Sequence, residues 1–101
     1  MERYFEWDNR KAEANYRKHG IQFEEAALVF DDPFAVSEQD RIENREQRWQ
    51  TIGTAGGCLL LLVAHTVYLE DDEIEVIRII SARRANKMER RRYEHGQAQT
   101  R

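Results

Sequence analysis

Apolar and polar positions alternate along the chain with two different periods, and the switches between them mark the elements. Arg3, Tyr4, Phe5, Glu6 and Trp7 alternate with period two, which predicts a strand with Phe5 and Trp7 inward and Tyr4 outside or at an edge. Asp8 is a good N-cap, Ala12, Asn15, Tyr16 and His19 return at helical spacing, and Gly20 is a C-cap, so a helix is predicted over 9–19. Phe23, Ala26, Ala27 and Phe30 repeat at three and four, predicting a second short helix that stops at the Asp31-Asp32-Pro33 turn.

Beyond that turn the period returns to two. Phe34, Val36 and Glu38 begin a strand, and the mixed charges of 39–47, which present no apolar face, predict a loop. Trp49 and Ile52 mark the next strand, leading to Gly56-Gly57, a dipeptide suited to positive φ in a hairpin turn. The return strand, 58–68, has five apolar residues in succession and reads as central, with helices on one side and Cys58 in the core. After the acidic turn at 70–73, a β-branched run predicts the last strand. It has Val76, Arg78, Ile80 and Ala82 on one face and Glu75, Ile77, Ile79, Ser81 and Arg83 on the other. Asn86 caps a final helix over 87–95, closed by Gly96. This order predicts a compact α+β domain over 1–96, mainly an antiparallel sheet with two N-terminal helices and one C-terminal helix, and a frayed tail at 97–101.

Composition narrows the setting. A chain of 101 residues with 41% hydrophobic content supports one core and one site. A single cysteine excludes an internal disulfide, and no apolar run reaches membrane-spanning length, so a cytoplasmic protein without a membrane role is expected. The net charge of −3 conceals a strong polarity. From Arg78 onward eight basic residues face two acidic ones, whereas the preceding part holds eight basic and seventeen acidic residues. A basic C-terminal face of this kind attracts phosphate.

No phosphate loop, nucleophile elbow or paired-cysteine motif is present, the histidines lack metal-site spacing, and neither a metal nor another cofactor is expected. The remaining candidates are His65, Arg78, Arg83 and the Arg-rich last helix. In a hairpin centred at Asp71-Asp72, residues whose numbers sum to about 143 face one another, which sets His65 opposite Arg78. A slip of one residue puts them on different faces. Such a cluster suits RNA cleavage by the ribose 2′-hydroxyl, with arginine neutralising the phosphorane and His65 or Glu89 handling the proton. Tyr93 offers either a core anchor or a base-stacking platform.

The chain also resembles the BrnT toxin family. The resemblance is carried by Phe5-Glu6-Trp7-Asp8, Lys11-Ala12, Asn15, Lys18-His19-Gly20-Ile21, Phe23-Glu24-Glu25-Ala26 and Val29-Phe30-Asp31-Asp32-Pro33. It continues through Arg48, Ile52-Gly53, His65-Thr66, Arg78-Ile79-Ile80-Ser81-Ala82-Arg83, Ala85, Glu89-Arg90-Arg91 and Tyr93. It implies a RelE-like ribonuclease fold, metal-independent cleavage of RNA that arrests growth, and neutralisation in a hetero-oligomer by a DNA-binding BrnA-like antitoxin. By this resemblance Arg48, His65, Arg78, Arg83, Glu89 and Arg90 form the functional set; with the other basic residues counted, His65, Arg78, Arg83 and Glu89 are catalytic candidates, and Arg48, Arg84, Lys87, Arg90 and Lys18 RNA-binding ones. Two other functions use the same cations: a non-catalytic module binding nucleic acid or a protein partner, and a related toxin acting on DNA gyrase.

Overall fold

The computed structural model describes residues 2–99. In chain order its elements are β1 (Glu2–Glu6), α1 (Asn9–His19), α2 (Phe23–Ala27), a 3-10 turn (Leu28–Asp31), β2 (Val36–Glu43), β3 (Glu46–Ala55), β4 (Leu59–Glu70), β5 (Ile74–Arg84) and α3 (Lys87–Gln99). One sheet forms in the order β1-β5-β4-β3-β2, with β1 parallel to β5 and the other pairs antiparallel. The Leu-rich β4 is its central strand, as its unbroken apolar run predicts.

Local chemistry bounds α1 where the sequence places it. The Asp8 carboxylate accepts from the backbone N–H groups of Arg10 (2.8 Å) and Lys11 (3.2 Å). At the other end Gly20, at φ 71°, donates its N–H to the Tyr16 carbonyl at 2.8 Å. Helices α1 and α2 cover one face of the sheet, where Phe23, Ala26 and Val29 pack on Leu61, Val63, Ile77, Ile79 and Ala82. Phe5 and Trp7 extend this core against Phe30 and Phe23. Helix α3 covers part of the opposite face, with Tyr93 packed on Ile52, Leu60 and Leu62. The expectation of helices on one side is corrected accordingly: β4 is apolar on both sides because each side has its own helical cover.

Three further expectations change. The polar segment predicted as a loop is a hairpin arm, in which β2 and β3 pair from Val36↔Ile52 to Glu43↔Glu46. Asn44 and Arg45 turn it at φ 52° and 67°, the positive angles a two-residue hairpin needs. An arm open to water needs no apolar face, so composition alone hid it. Cys58 is exposed in the Gly56-Gly57 turn and not in the core. Gly96 does not close α3, which continues through Gln99, so 97–99 belong to the helix and Thr100 and Arg101 lie outside the described residues. A Cβ on Gly96 would sit 2.9 Å from Val36 Cγ2, so this glycine serves a close helix-to-strand approach.

A bulge in β5 decides the site. The β4–β5 register runs from Leu61↔Arg84 to Ala64↔Ser81, skips Ile80, and resumes at His65↔Ile79 and Thr66↔Arg78. The skip reverses the alternation, so Ile77, Ile79 and Ala82 all join the α1/α2 core. Arg78 and Arg83, predicted on opposite faces, therefore share the α3 side. His65 stands opposite Ile79, one step from the expected Arg78, in the register that runs unbroken from Glu70↔Ile74 on the turn side of the skip.

Where β1 ends, at Glu6↔Arg78, the outer edge of β5 loses its strand neighbour. Asn15, 6% exposed, replaces it: Nδ2 donates to the Ala82 carbonyl at 2.9 Å, and Oδ1 accepts the Ala82 N–H at 3.0 Å. Nδ2 also donates to the Ile21 carbonyl at 3.0 Å, fixing the chain after α1.

Candidate active site

His65 is separated from the cations. It lies on the α1/α2 face at 3% exposure, with the Phe30 ring edge-on at 4.8 Å between centroids. With Nδ1 protonated toward the Thr66 carbonyl (3.5 Å), Nε2 accepts from Thr51 Oγ1 at 2.7 Å, and Thr51 accepts in turn from Ser37 Oγ at 2.7 Å. Burial pushes its pKa down to about 4, so the ring is neutral near pH 7. The pairing of His65 with Arg78 expected from the sequence does not form: the imidazole is buried on the α1/α2 face, and Arg78 takes the other side of the sheet.

Arg83 and Glu89 are joined to each other. Nη1 and Nη2 donate to the two Glu89 oxygens, both at 2.8 Å. Glu89 also accepts the Asn86 N–H at 2.9 Å, while Asn86 Oδ1 accepts the Glu89 N–H at 2.9 Å. This reciprocal capping box starts α3, and Arg83 anchors it to β5. The Arg83 bonds hold the Glu89 carboxyl below the usual carboxylate range against the opposing effect of burial, with Asn86 assisting. A carboxylate so stabilised and occupied is a poor base, and its partner guanidinium has spent its fork on it.

The part of the α3 face that the helix leaves open presents a different group. Arg78, its side chain 50% exposed, stands between Thr66 of β4 and Glu6 of β1 in the strand registers. Glu6 Oε2 lies 3.9 Å from Arg78 Nε, and Glu6 Oε1 accepts from the Tyr68 hydroxyl at 3.2 Å. Partial desolvation and then the Glu6 carboxylate raise the Tyr68 pKa, keeping the phenol protonated. One step beyond Trp49↔His65, the β3–β4 register brings Arg48 level with Thr66. Arg48 Nη2 pairs with Glu43 at 3.4 Å, while its Nε and the Thr66 hydroxyl are buried without hydrogen-bond partners. Adjacent strands lie about 4.8 Å apart, so Arg48 and Arg78 stand roughly 10 Å apart across Thr66, within reach of one phosphate. Arg83 lies about 15 Å further along β5 and does not converge with them.

The other sequence-predicted cations are dispersed. Arg84, Lys87 and Arg90 are exposed around the start of α3, and Lys18 lies on α1, away from the open part of the α3 face. Tyr93 is the core anchor, 8% exposed, with its hydroxyl donating to Asp32 at 2.7 Å. Sequence reasoning missed Glu6, Tyr68 and Thr66 as members of the site. The outward alternation of Glu6 between Phe5 and Trp7 was the available signal, but its partner strand was not predictable.

A family model described as "Ribonuclease toxin, BrnT, of type II toxin-antitoxin system" matches residues 7–89. The chain belongs to the BrnT family. Brucella abortus BrnT, a ribonuclease toxin whose crystal structure was determined at 1.1 Å, is similar in fold, with a TM-score of 0.57 at 19% identity. That match covers 86% of this chain and 100% of the Brucella one. A search of curated protein sequences finds no match. In this BrnT-family chain the match begins at Trp7 and ends at Glu89, so it encloses Arg48, Thr66, Tyr68, Arg78 and Arg83 but stops one residue short of Glu6. The family is one of ribonuclease toxins paired with antitoxins.

Proposed function

We propose that this chain cleaves RNA endonucleolytically without a metal ion, as a growth-arresting, RelE-like toxin acting in the cytoplasm and silenced by a BrnA-like antitoxin. The observation that carries this reading is Arg78, open to solvent beside a carboxylate, with a second arginine across Thr66. In the reaction Glu6 accepts the ribose 2′-hydroxyl proton, and the 2′ oxygen attacks the adjacent phosphorus. Arg78 and Arg48 neutralise the charge on the five-coordinate phosphorane, which is the part a metal ion plays elsewhere. The bond from phosphorus to the 5′ oxygen breaks and that oxygen takes a proton from water. Tyr68 orients Glu6 through its hydrogen bond.

Inducing the chain alone is expected to arrest growth, and co-expressing the antitoxin to restore it. Purified protein is expected to fragment RNA in EDTA, with Arg78→Ala at least a hundredfold slower, as for loss of one oxyanion donor (about 10²–10³). RNA bound in a salt-dependent way yet left intact at high protein concentration overturns the ribonuclease reading and leaves a binding module.

A further inference from the structure

Among the described residues, no strand flanks the outer edge of β5 between the Glu6↔Arg78 pair and the Asn15–Ala82 bonds. The bulge at Ile80 falls in this gap. A pocket of about 230 Å³ opens there, lined on one side by Lys11, Lys18 and His19 of α1 and on the other by Ile80 and Ser81. No carboxylate lines it, in a chain with 19 acidic residues.

Helix stability explains only part of this arrangement. Lys18 and His19 in the last turn of α1 complement the helix dipole. Lys11 in the first turn opposes it, and that turn contains no acidic residue. Lys11 and Lys18 are seven residues apart, two turns along one face, and both line the same pocket. The ammonium groups and the Ser81 hydroxyl are donors, and the Asn15 amide is already committed to Ala82 and Ile21. The complementary ligand is a compact anion with several acceptor oxygens. Ser81 is three residues from Arg78 on the same strand, a distance of about 10 Å, which a flexible RNA backbone spans.

We propose that the Lys11–Lys18–His19 pocket binds a phosphate of the RNA strand next to the linkage cleaved at Arg78. This rests on the ribonuclease reading, and it makes the gap in the β5 edge a subsite through which the strand passes over the rim of the sheet. The chemistry that recognises the ligand is a phosphodiester; an acidic segment of the antitoxin is the competing occupant.

The test is binding of an RNA oligonucleotide carrying 2′-deoxy sugars, which cannot be cleaved, over a range of salt. Lys11→Ala/Lys18→Ala is expected to weaken binding roughly tenfold at low salt and to lower the salt slope by about one. Arg10→Ala/Arg17→Ala changes net charge equally outside the pocket lining and controls for long-range attraction. Equal losses in the two double variants, or none in either, overturn the proposal. So does a lysine variant that binds RNA normally but loses the antitoxin, which assigns the pocket to the protein partner. Because the oligonucleotide is uncleavable, the outcome stands apart from the ribonuclease assay. A chain that cuts no RNA yet binds it through these lysines refutes catalysis and keeps the phosphate pocket.

Discussion

Replacing Arg83 with alanine removes two 2.8 Å charge-assisted hydrogen bonds from Glu89, whose side chain is only 9% exposed. Losing one partner of a fully buried pair costs about 3–5 kcal/mol, because the remaining charge stays desolvated. The Arg83 side chain is 39% exposed, so water reaches the vacated position and the cost falls to about 2 kcal/mol. In a domain of this size each kcal/mol shifts Tm by about 4–8 °C, which gives a drop of roughly 8–16 °C. Arg83→Lys keeps the charge but not the fork, and about half the loss is expected. The pair lowers the folded-state pKa of Glu89, so its stabilisation is complete above the unfolded value of about 4.3 and disappears as pH falls through the folded value. Thermal unfolding followed by circular dichroism from pH 7 down to pH 2 should show wild type and Arg83→Ala converging at the acid end. A variant with unchanged Tm that no longer cuts RNA would refute the anchoring role and return Arg83 to the chemistry.

His65 makes the opposite part of the sheet sensitive to acid. The folded pKa is pushed down to about 4 from 6.5, so its contribution is intact above pH 6.5 and lost as pH falls toward 4, by about 3 kcal/mol. His65→Gln should flatten that stretch of the pH–stability curve and keep RNA cleavage, and NMR titration of the ring at pH 6 or above contradicts this. Asn15→Ala strips partners from the Ala82 N–H and from the Ala82 and Ile21 carbonyls. A loss of about 3 kcal/mol is expected in urea unfolding, and one below about 1 kcal/mol means that β5 does not need its edge covered. Gly53→Ala puts a Cβ 2.8 Å from Val29 Cγ1 and 3.2 Å from Ala35 Cβ, so chemical denaturation should report a loss of about 1–3 kcal/mol. An unchanged midpoint shows that the 3-10 turn yields freely.

The elements that were legible in the sequence are those fixed locally. Asp8 and Gly20 bound α1 through their own hydrogen bonds, and the β4 run marks a strand buried on both faces. The family resemblance was equally local, resting on residues in order and spacing. What sequence could not supply is pairing. The hairpin estimate for β4–β5 is correct to one residue, an offset that already sets His65 and Arg78 on different faces, and the skipped Ile80 then reverses the alternation beyond Ile79. That offset at the turn removes His65 from the site, and the skipped Ile80 brings Arg78 and Arg83 to the same side. Glu6 was hidden for a related reason: β1 pairs in parallel with a strand some seventy residues later, and nothing local to Glu6 encodes the neighbour that gives it a role. The arm at 36–55 was obscured because backbone pairing, and not an apolar face, holds it.

The chemistry of the RNA ends tests the central claim most directly. RNA treated with purified protein in EDTA is expected to end in 2′,3′-cyclic phosphates opposite 5′-hydroxyls, with the cyclic product lost when Arg78→Ala or Glu6→Gln replaces the wild type. Fragments ending in 5′-phosphate, or cyclic ends made at the wild-type rate by both variants, contradict strand cleavage by the ribose hydroxyl at this face.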